Sequence, residues 1–493
     1  MMARLAAWGQ RSGPVVATYV GSLLLSLAAH ARGDLIGRDG ILYVETARAF
    51  LDLGLWAPHP GIDWQFFSLL MAGLSALTGL DLATAGNLLN AFLLAGACAL
   101  AVAMVRQRMP EAAWVAALVA LAMPGYNGYR DDLIREHGFW CFSMLAFWLA
   151  MKWQAHGRWR EAIACQLALG VAALFRLEAV AFYPALMLWA GLAAPAGQRL
   201  RRVLVIGGLP LAGGLLAGML LGSGAVPMPS RVSYYLDAAN PLHKLHVLKE
   251  AAGRMSDTVF PFKYSREEAG YILFFGLLSI IPVKFLKMTG VFLVPLAYLF
   301  AVQPLRAVLA RWQPLAWAFL AYLLVLAAFV THQFFLSARY VSLLSLLAVP
   351  LAAAGLFLLM RRHPRWKGPM LALAVLTLAA NVISFSPRKT HIVEAGRWLG
   401  ANVAEGQACL TNSRLAYYAG WRVGGIVFEG SDLDRMIGEG RCAWVAMEAG
   451  RKENPDAWLK QNRLQEVRRF ENAAGDAVII ARRMDLPPAP SAR

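Results

Sequence analysis

A chain of 493 residues with 58% hydrophobic and 16% charged side chains does not describe one or two water-soluble domains, which average less apolar and more charged. Lysine and arginine outnumber aspartate and glutamate by 47 to 30, a formal charge of +17. An excess of that size suits nucleic acid, anionic lipid or inner-leaflet membrane loops, and its placement along the chain decides among them. Five cysteines exclude a disulfide scaffold. Cys98, Cys141 and Cys165 fall inside apolar runs as small hydrophobes. Cys409 and Cys442 remain as candidates for pairing, and burial as free thiols is the expectation for both.

A spanning helix needs about 20 mostly apolar residues. Windows of that kind recur at 14–31, 83–105, 110–127, 136–154, 160–176, 178–195, 201–222, 272–303, 313–332, 340–360 and 368–386, which predicts about eleven crossings. The first is read as a retained anchor, because no small-residue cleavage site follows it and Arg32, Asp34, Arg38 and Asp39 come directly after.

Basic residues mark alternate ends of these windows: Arg4 and Arg11, Arg106 and Arg108, Lys152 with Arg158 and Arg160, Arg199 with Arg201 and Arg202, Arg306 with Arg311, and Arg361 with Arg362, Arg365 and Lys367. The positive-inside rule then places the N-terminus in the cytoplasm and assigns the charge to cytoplasmic loops instead of a nucleic-acid footprint. The apolar stretch 64–80 would break this alternation if it crossed, so it is expected to lie at the outer interface. The stretch 271–281 is expected partly in the interface as well, since Lys284 and Lys287 interrupt an overlong window.

An odd number of crossings leaves everything after Pro387 outside, where the sequence becomes charged and strand-capable. Helices at 390–403, 413–420, 432–438 and 455–462 are predicted to alternate with strands at 408–411, 423–428 and 442–447 and a closing strand pair ending near Ala481. The expected organisation is a mainly α, polytopic transmembrane region over 1–386 with outer-face juxtamembrane helices and outer loops at 32–63, 125–137 and 223–270. A small α/β domain follows over 387–485, then a Pro-rich disordered tail over 486–493.

Ionisable residues near a bilayer are functional candidates because desolvating them costs about 2.5–3.5 kcal/mol on insertion scales. On the outer side they gather in four places. The first is Arg38-Asp39-Gly40 with Tyr43, just after the first window. The second is the dense run Tyr126-Asn127-Gly128-Tyr129-Arg130-Asp131-Asp132-Leu133-Ile134-Arg135-Glu136-His137. The third is Arg176-Leu177-Glu178, which reads equally as a self-neutralising ion pair. The fourth is Arg339-Tyr340, where the arginine could snorkel to head groups or grip a phosphate. With the basic 223–270 loop, which carries Arg231, His243, Lys244, His246, Lys249, Arg254 and Lys263, they make an outer-face pocket of carboxylates and cations. Carboxylates suit a general base and cations an anionic leaving group. Tyr234 and Tyr235 in that loop could stack on a sugar ring or belong to an interfacial aromatic belt. No His-Glu-x-x-His and no Gly-x-x-x-x-Gly-Lys-Ser/Thr run is present, so neither a zinc hydrolase nor a nucleotide-driven pump is indicated.

Taken in order, these features resemble the GT-C superfamily of membrane glycosyltransferases, particularly the branch of protein mannosyltransferases and the bacterial aminoarabinose transferase of lipid A. The likeness runs over nearly the whole chain. It is carried by Asp39, Tyr43, Ala47 and Gly54, by His59-Pro60 before an interfacial helix ending in Thr78-Gly79-Leu80, and by Asn87 and Asn90. Arg106 with Arg108, Pro124, the second acidic segment, the 174–179 stretch around Arg176, Arg339-Tyr340, and Tyr417-Tyr418-Ala419-Gly420 in the outer domain continue it. Two positions depart from the pattern. Gly40 replaces the acid that often follows the first aspartate, and Gly61 stands where a second proline is common.

The resemblance implies an enzyme of the bacterial inner membrane, with its C-terminal domain in the periplasm. It implies an inverting transfer of a sugar from a polyprenyl-phosphate donor to a lipid, glycan or protein acceptor, with membrane lipids as surroundings and no nucleic acid as partner. Asp39 takes the role of general base and Glu136 that of second acid, counted back from Leu145-Ala146, with Asp131 and Asp132 as rivals. Arg339, Arg130, Arg135 and Arg176 become candidates for the donor phosphate, and Tyr43, His137, Glu178 and Tyr340 for the substrate pocket. No residue set marks a metal, although a divalent cation stays open as a cofactor. A polyprenyl-linked glycan flippase or transporter and an O-antigen ligase are the competing readings. The charges favouring one face and the lack of an internal repeat speak against a transporter.

Overall fold

The computed structural model describes residues 2–31, 35–54, 64–224, 230–383, 388–424, 426–428, 430–451 and 453–485. His59-Pro60, Gly61 and the tail 486–493 lie outside the described residues. In chain order the helices are α1 (Met2–His30), α2 (Arg38–Leu53), α3 (Phe66–Thr78), α4 (Leu82–Arg108), α5 (Ala113–Ala122), α6 (Pro124–Asn127), α7 (Glu136–His156), α8 (Trp159–Phe175), α9 (Phe182–Leu192) and α10 (Arg199–Gly222). They continue with α11 (Ser230–Ala239), α12 (Pro241–Thr258), α13 (Lys263–Glu267), α14 (Ala269–Thr289), α15 (Leu293–Val302), α16 (Leu305–Arg311), α17 (Leu315–Gln333), α18 (Ala338–Arg362) and α19 (Lys367–Ala380). The C-terminal part holds α20 (Thr390–Asn402), β1 (Ala408–Leu410), α21 (Ser413–Ala419), α22 (Ser431–Gly438), β2 (Trp444–Ala449), α23 (Asp456–Gln461), β3 (Leu464–Glu471) and β4 (Ala477–Arg483).

Packing divides the chain into two units. One comprises residues 1–29, 88–131 and 135–383, the other 30–87, 132–134 and 384–493. Among the described residues, six helical stretches are long and apolar enough to cross a membrane: Gly13–His30, Leu82–Arg108, Ala196–Gly222, Ala269–Val302, Leu315–Gln333 and Ala338–Arg362. The windows at 110–127 and 178–195 hold the shorter apolar helices Pro110–Ala122 and Leu177–Leu192, and those at 136–154, 160–176 and 368–386 hold α7, α8 and α19. The centre of the first unit is α18. Its residues from Val341 to Pro350 are buried without interruption and, apart from Ser342 and Ser345, are apolar, as in a helix enclosed by others.

In the second unit, α3 has 13 residues and therefore spans about 20 Å, short of a hydrocarbon core. Its Phe67, Met71 and Ala72 are buried, and Phe67 meets the ring of Tyr43 on α2 edge-on at 5.1 Å. The C-terminal sheet has the order β1-β2-β4-β3, with β1 parallel to β2 and the other neighbours antiparallel. Alternate residues of β4 feed opposite faces: Val478 and Ile480 pack with Ile392, Leu399 and Leu415, whereas Ile479 and Ala481 pack with Leu433, Ile437 and Leu459.

Two expectations fail here. Among its described residues, the 423–428 segment makes a single bridge, Val427 to Leu410, instead of a strand. Cys409 and Cys442 are joined in a disulfide, not free. Cys442 sits just before β2, where the parallel register pairs Cys409 with Val445 and brings the two Cα atoms to 5.4 Å.

Candidate active site

Glu136 is the first residue of α7, and α8 runs back along α7 to end at Phe175. The two helices can close at that end because residue 138 is glycine. A Cβ there would stand 2.2 Å from the Phe175 ring, far inside contact distance. Phe142 stacks on the same ring at 5.9 Å. Helix α8 then breaks. Arg176 takes extended backbone (φ −147°, ψ 121°), and a single 3-10 turn from Leu177 to Ala181 leads into α9.

The break delivers the Arg176 guanidinium to two carboxylates. Its Nη1 donates to Glu136 Oε1 at 2.6 Å, and its Nε donates to Glu178 Oε1 at 3.2 Å, with Nη2 directed at the same oxygen. Arg339, at the start of α18, holds its Nε 3.4 Å from Glu136 Oε1. The Tyr340 ring lies under both guanidinium groups, 4.4 Å from that of Arg176 and 5.3 Å from that of Arg339. Tyr322 on α17 donates its hydroxyl to the Tyr340 carbonyl at 2.8 Å.

Two acids and two arginines balance, and Arg135 is close enough to act electrostatically on both carboxylates, so the cluster carries one surplus positive charge. Glu136 and Arg176 are 3% and 6% exposed, whereas the Arg339 side chain keeps 25% of its surface open. Glu136 Oε2 is buried and has no hydrogen-bond partner among the described residues. Beside the cluster lies a cavity of about 440 Å³. Arg176, Glu178 and Tyr340 form its polar lining with Tyr234 and His332, and Val325, Leu326 and Phe329 are among its apolar walls.

The other candidates fall in different surroundings. Arg130 is 1% exposed and donates to the Ser22 carbonyl and hydroxyl at 2.9 and 3.0 Å, to Ser26 Oγ at 3.1 Å and to Asn127 Oδ1, so its guanidinium is engaged by neutral acceptors on α1 and α6. His137 is buried edge-on to Trp140 at 5.1 Å. Asp131 is exposed, Asp132 half-buried. Tyr43 is 5% exposed and belongs to the packing of α2 on α3. Asp39 sits half-buried in the first turn of α2, where the helix dipole favours its charge.

The neighbouring Gly40 has a packing reason to depart from the pattern. A Cβ there would stand 3.0 Å from both the Leu133 Cβ and Ile36, so an acid at this position would need the chain around Leu133 to move. The same unit ties the approach to α2 down at its other end, where Ile36 N–H donates to the Tyr418 hydroxyl at 3.1 Å and Arg414 Nε donates to the Ile36 carbonyl at 3.2 Å.

Sequence reading had no signal for Tyr322, Phe329 and His332. Each is an isolated aromatic residue within the apolar helix α17, indistinguishable by pattern from an interfacial belt. Among the described residues no three His, Cys, Asp or Glu side chains gather to hold a metal ion, so no step is derived through one.

No sequence-family model matches the chain, and no curated protein does. Solved structures do. ArnT from Cupriavidus metallidurans in the apo state is similar with a TM-score of 0.55 at 14% identity, over 95% of this chain and 98% of that one. The same protein bound to undecaprenyl phosphate gives 0.53 at 14% identity with the same coverage. The Archaeoglobus fulgidus oligosaccharyltransferase in complex with zinc and sulfate gives 0.52 at 12% identity, over 87% of this chain and 68% of that one. Both proteins are GT-C membrane glycosyltransferases, and at these identities the likeness carries the architecture: the chain has the GT-C fold.

Proposed function

We propose that this chain is a multi-pass glycosyltransferase of the bacterial inner membrane that moves a sugar from a polyprenyl phosphate to a lipid, glycan or protein hydroxyl on the periplasmic face. The observation that carries the reading is the cavity of about 440 Å³ with apolar walls, whose polar lining includes Arg176, Glu178 and Tyr340. An isoprenoid chain fits such walls, and a phosphate at the polar end would meet Arg176. That an ArnT structure was solved bound to undecaprenyl phosphate supports the same donor class. The expected topology keeps eleven crossings, a cytoplasmic N-terminus and a periplasmic C-terminal domain.

In this reading Asp39 accepts the proton of the acceptor hydroxyl while its oxygen attacks the anomeric carbon. The bond from that carbon to the phosphate oxygen breaks, the electron pair leaves with the polyprenyl phosphate, and the configuration inverts. Arg339, the more open of the two arginines on Glu136, meets the charge that develops on the leaving phosphate, an effect worth about 2.7–4 kcal/mol per donor elsewhere. Glu136 positions Arg176 and Arg339 through its Oε1. Arg130 is assigned to the packing of the helices that hold it. The test is transfer from purified polyprenyl-phosphate sugar in liposomes. Turnover with that donor is the expected result, and activity only with a nucleotide sugar overturns the reading.

A further inference from the structure

Helices α7 and α8 form a hairpin with two chemically distinct ends. Glu136 and Arg176 occupy one, and the turn from His156 to Trp159 occupies the other. The 21 residues of α7 put about 30 Å between them, the thickness of a hydrocarbon core. At the far end the hairpin meets the start of α10, and the three helices enclose a second concavity of about 740 Å³. Arg158 and Arg160 line it from α8, and Arg201 and Arg202 from α10. None of these four is in an ion pair among the described residues.

Glu161, the acid in the lining, has its Oε1 2.9 Å from His156 Nδ1 and is in no ion pair with the four arginines among the described residues. Two tryptophans complete the site. Trp153 is buried with the Arg202 guanidinium 5.6 Å from its ring, and Trp159 is 61% exposed with Arg160 at 5.7 Å. Four unpaired guanidinium groups from the starts of two helices, around one cavity and flanked by indole rings, have the composition of a phosphate site at the edge of a bilayer.

We propose that this concavity binds the head group of an anionic phospholipid in the leaflet opposite the candidate active site. The two arginine pairs match best a head group with two phosphates, that of cardiolipin. Acyl chains then descend along α8 and α10, whose outer faces expose Leu167, Leu200, Leu204 and Leu211. Solvated loop arginines would explain the charge alone. They would not explain its convergence on one concavity with no carboxylate paired to any of the four among the described residues.

The test uses the full chain in detergent, incubated with cardiolipin, phosphatidylglycerol or phosphatidylcholine and read by native mass spectrometry. Cardiolipin should be retained about tenfold better than phosphatidylcholine. The R158Q/R160Q/R201Q/R202Q variant should bring the two to parity. The matching lysine variant should keep part of the preference, and R361Q/R362Q/R365Q, cations on another basic loop, should keep all of it. An unchanged thermal transition shows that the quadruple variant is folded. Equal retention of cardiolipin by the quadruple variant overturns the proposal. So does an equal loss in R361Q/R362Q/R365Q, or full displacement by inorganic phosphate with no lipid retained.

Discussion

Arg176 Nη1 donates to Glu136 Oε1 at 2.6 Å across 40 residues of sequence, and the same guanidinium holds Glu178 two residues away. The pair that stands two residues apart in the sequence is thus two of the three members of a triad. Removing one partner of a buried ion pair leaves the other charge uncompensated, at a cost of about 3–5 kcal/mol. Arg176→Gln leaves Glu178 without its ion-pair partner and Glu136 with Arg339 alone, and should lower the melting temperature in detergent more than Glu136→Gln or Glu178→Gln. The triple neutral variant should recover part of the loss. A triple variant as unstable as Arg176→Gln alone would contradict this account.

Asp39 sits in the first turn of α2 and is half-buried. Replacing it with asparagine removes a helix-dipole contribution of about 0.3–1 kcal/mol, so the protein should still fold. If it is the base, Asp39→Asn should reduce transfer by about 10²–10⁴ with donor binding retained. Near wild-type turnover with purified donor would remove Asp39 from the chemistry.

Gly138 gives a local test of how the site is held. Its alanine variant pushes a methyl group into the Phe175 ring, and overpacking of this kind costs about 1–3 kcal/mol. Because the displaced ring precedes Arg176, Gly138→Ala should reduce donor affinity as well as thermal stability. Phe175→Leu in the Gly138→Ala background should restore both in part. An unaltered melting curve for Gly138→Ala would show that the helices do not close there.

How much of this was legible can be seen residue by residue. The acidic and basic clusters announced themselves because charge in an apolar sequence is rare, and that found Glu136, Arg176, Glu178 and Arg339. The role of Arg130 was not legible, since a guanidinium that donates to Ser22 and Ser26 reads in sequence like one that awaits a phosphate. Segment 423–428 carries strand-type residues, but whether such a run pairs along its length depends on its neighbours, and here one bridge forms. Gly40 read as a departure from pattern, and its reason lies in Leu133, far along the chain.

The cysteine pair follows the same logic. Spacing alone does not reveal which residues face each other across a parallel crossover, and Cys409 meets Cys442 through the register of β1 on β2. The closed loop covers 33 residues of separation, for which a crosslink contributes about 2–4 kcal/mol. Non-reducing digestion should yield a linked Cys409–Cys442 peptide. Cys409→Ser/Cys442→Ser should lower the thermal transition assigned to the C-terminal domain, and recovery of two free thiols from the native protein would refute the bond.

His391, on α20, gives the last test, in the pH dependence of stability. It is 3% exposed, and its Nδ1 has no hydrogen-bond partner among the described residues. Burial holds its imidazole below the ordinary value of 6.5. Lys389 acts in the same direction, while Glu448, Asp476 and Glu394 pull against them without reversing the shift. The sign follows from which state binds the proton. Below about 6.5 the unfolded chain takes up a proton at this residue that the folded domain resists, so folding stability contributed by His391 is complete above that value and falls as pH drops toward the depressed folded value. His391→Gln removes the titration. The wild-type minus variant difference in melting temperature should therefore be flat between pH 7 and 8 and shift against the wild type from about pH 6.5 downward. A difference that is constant with pH, or that moves in favour of the wild type on acidification, would mean that His391 is protonated as readily in the folded domain as outside it.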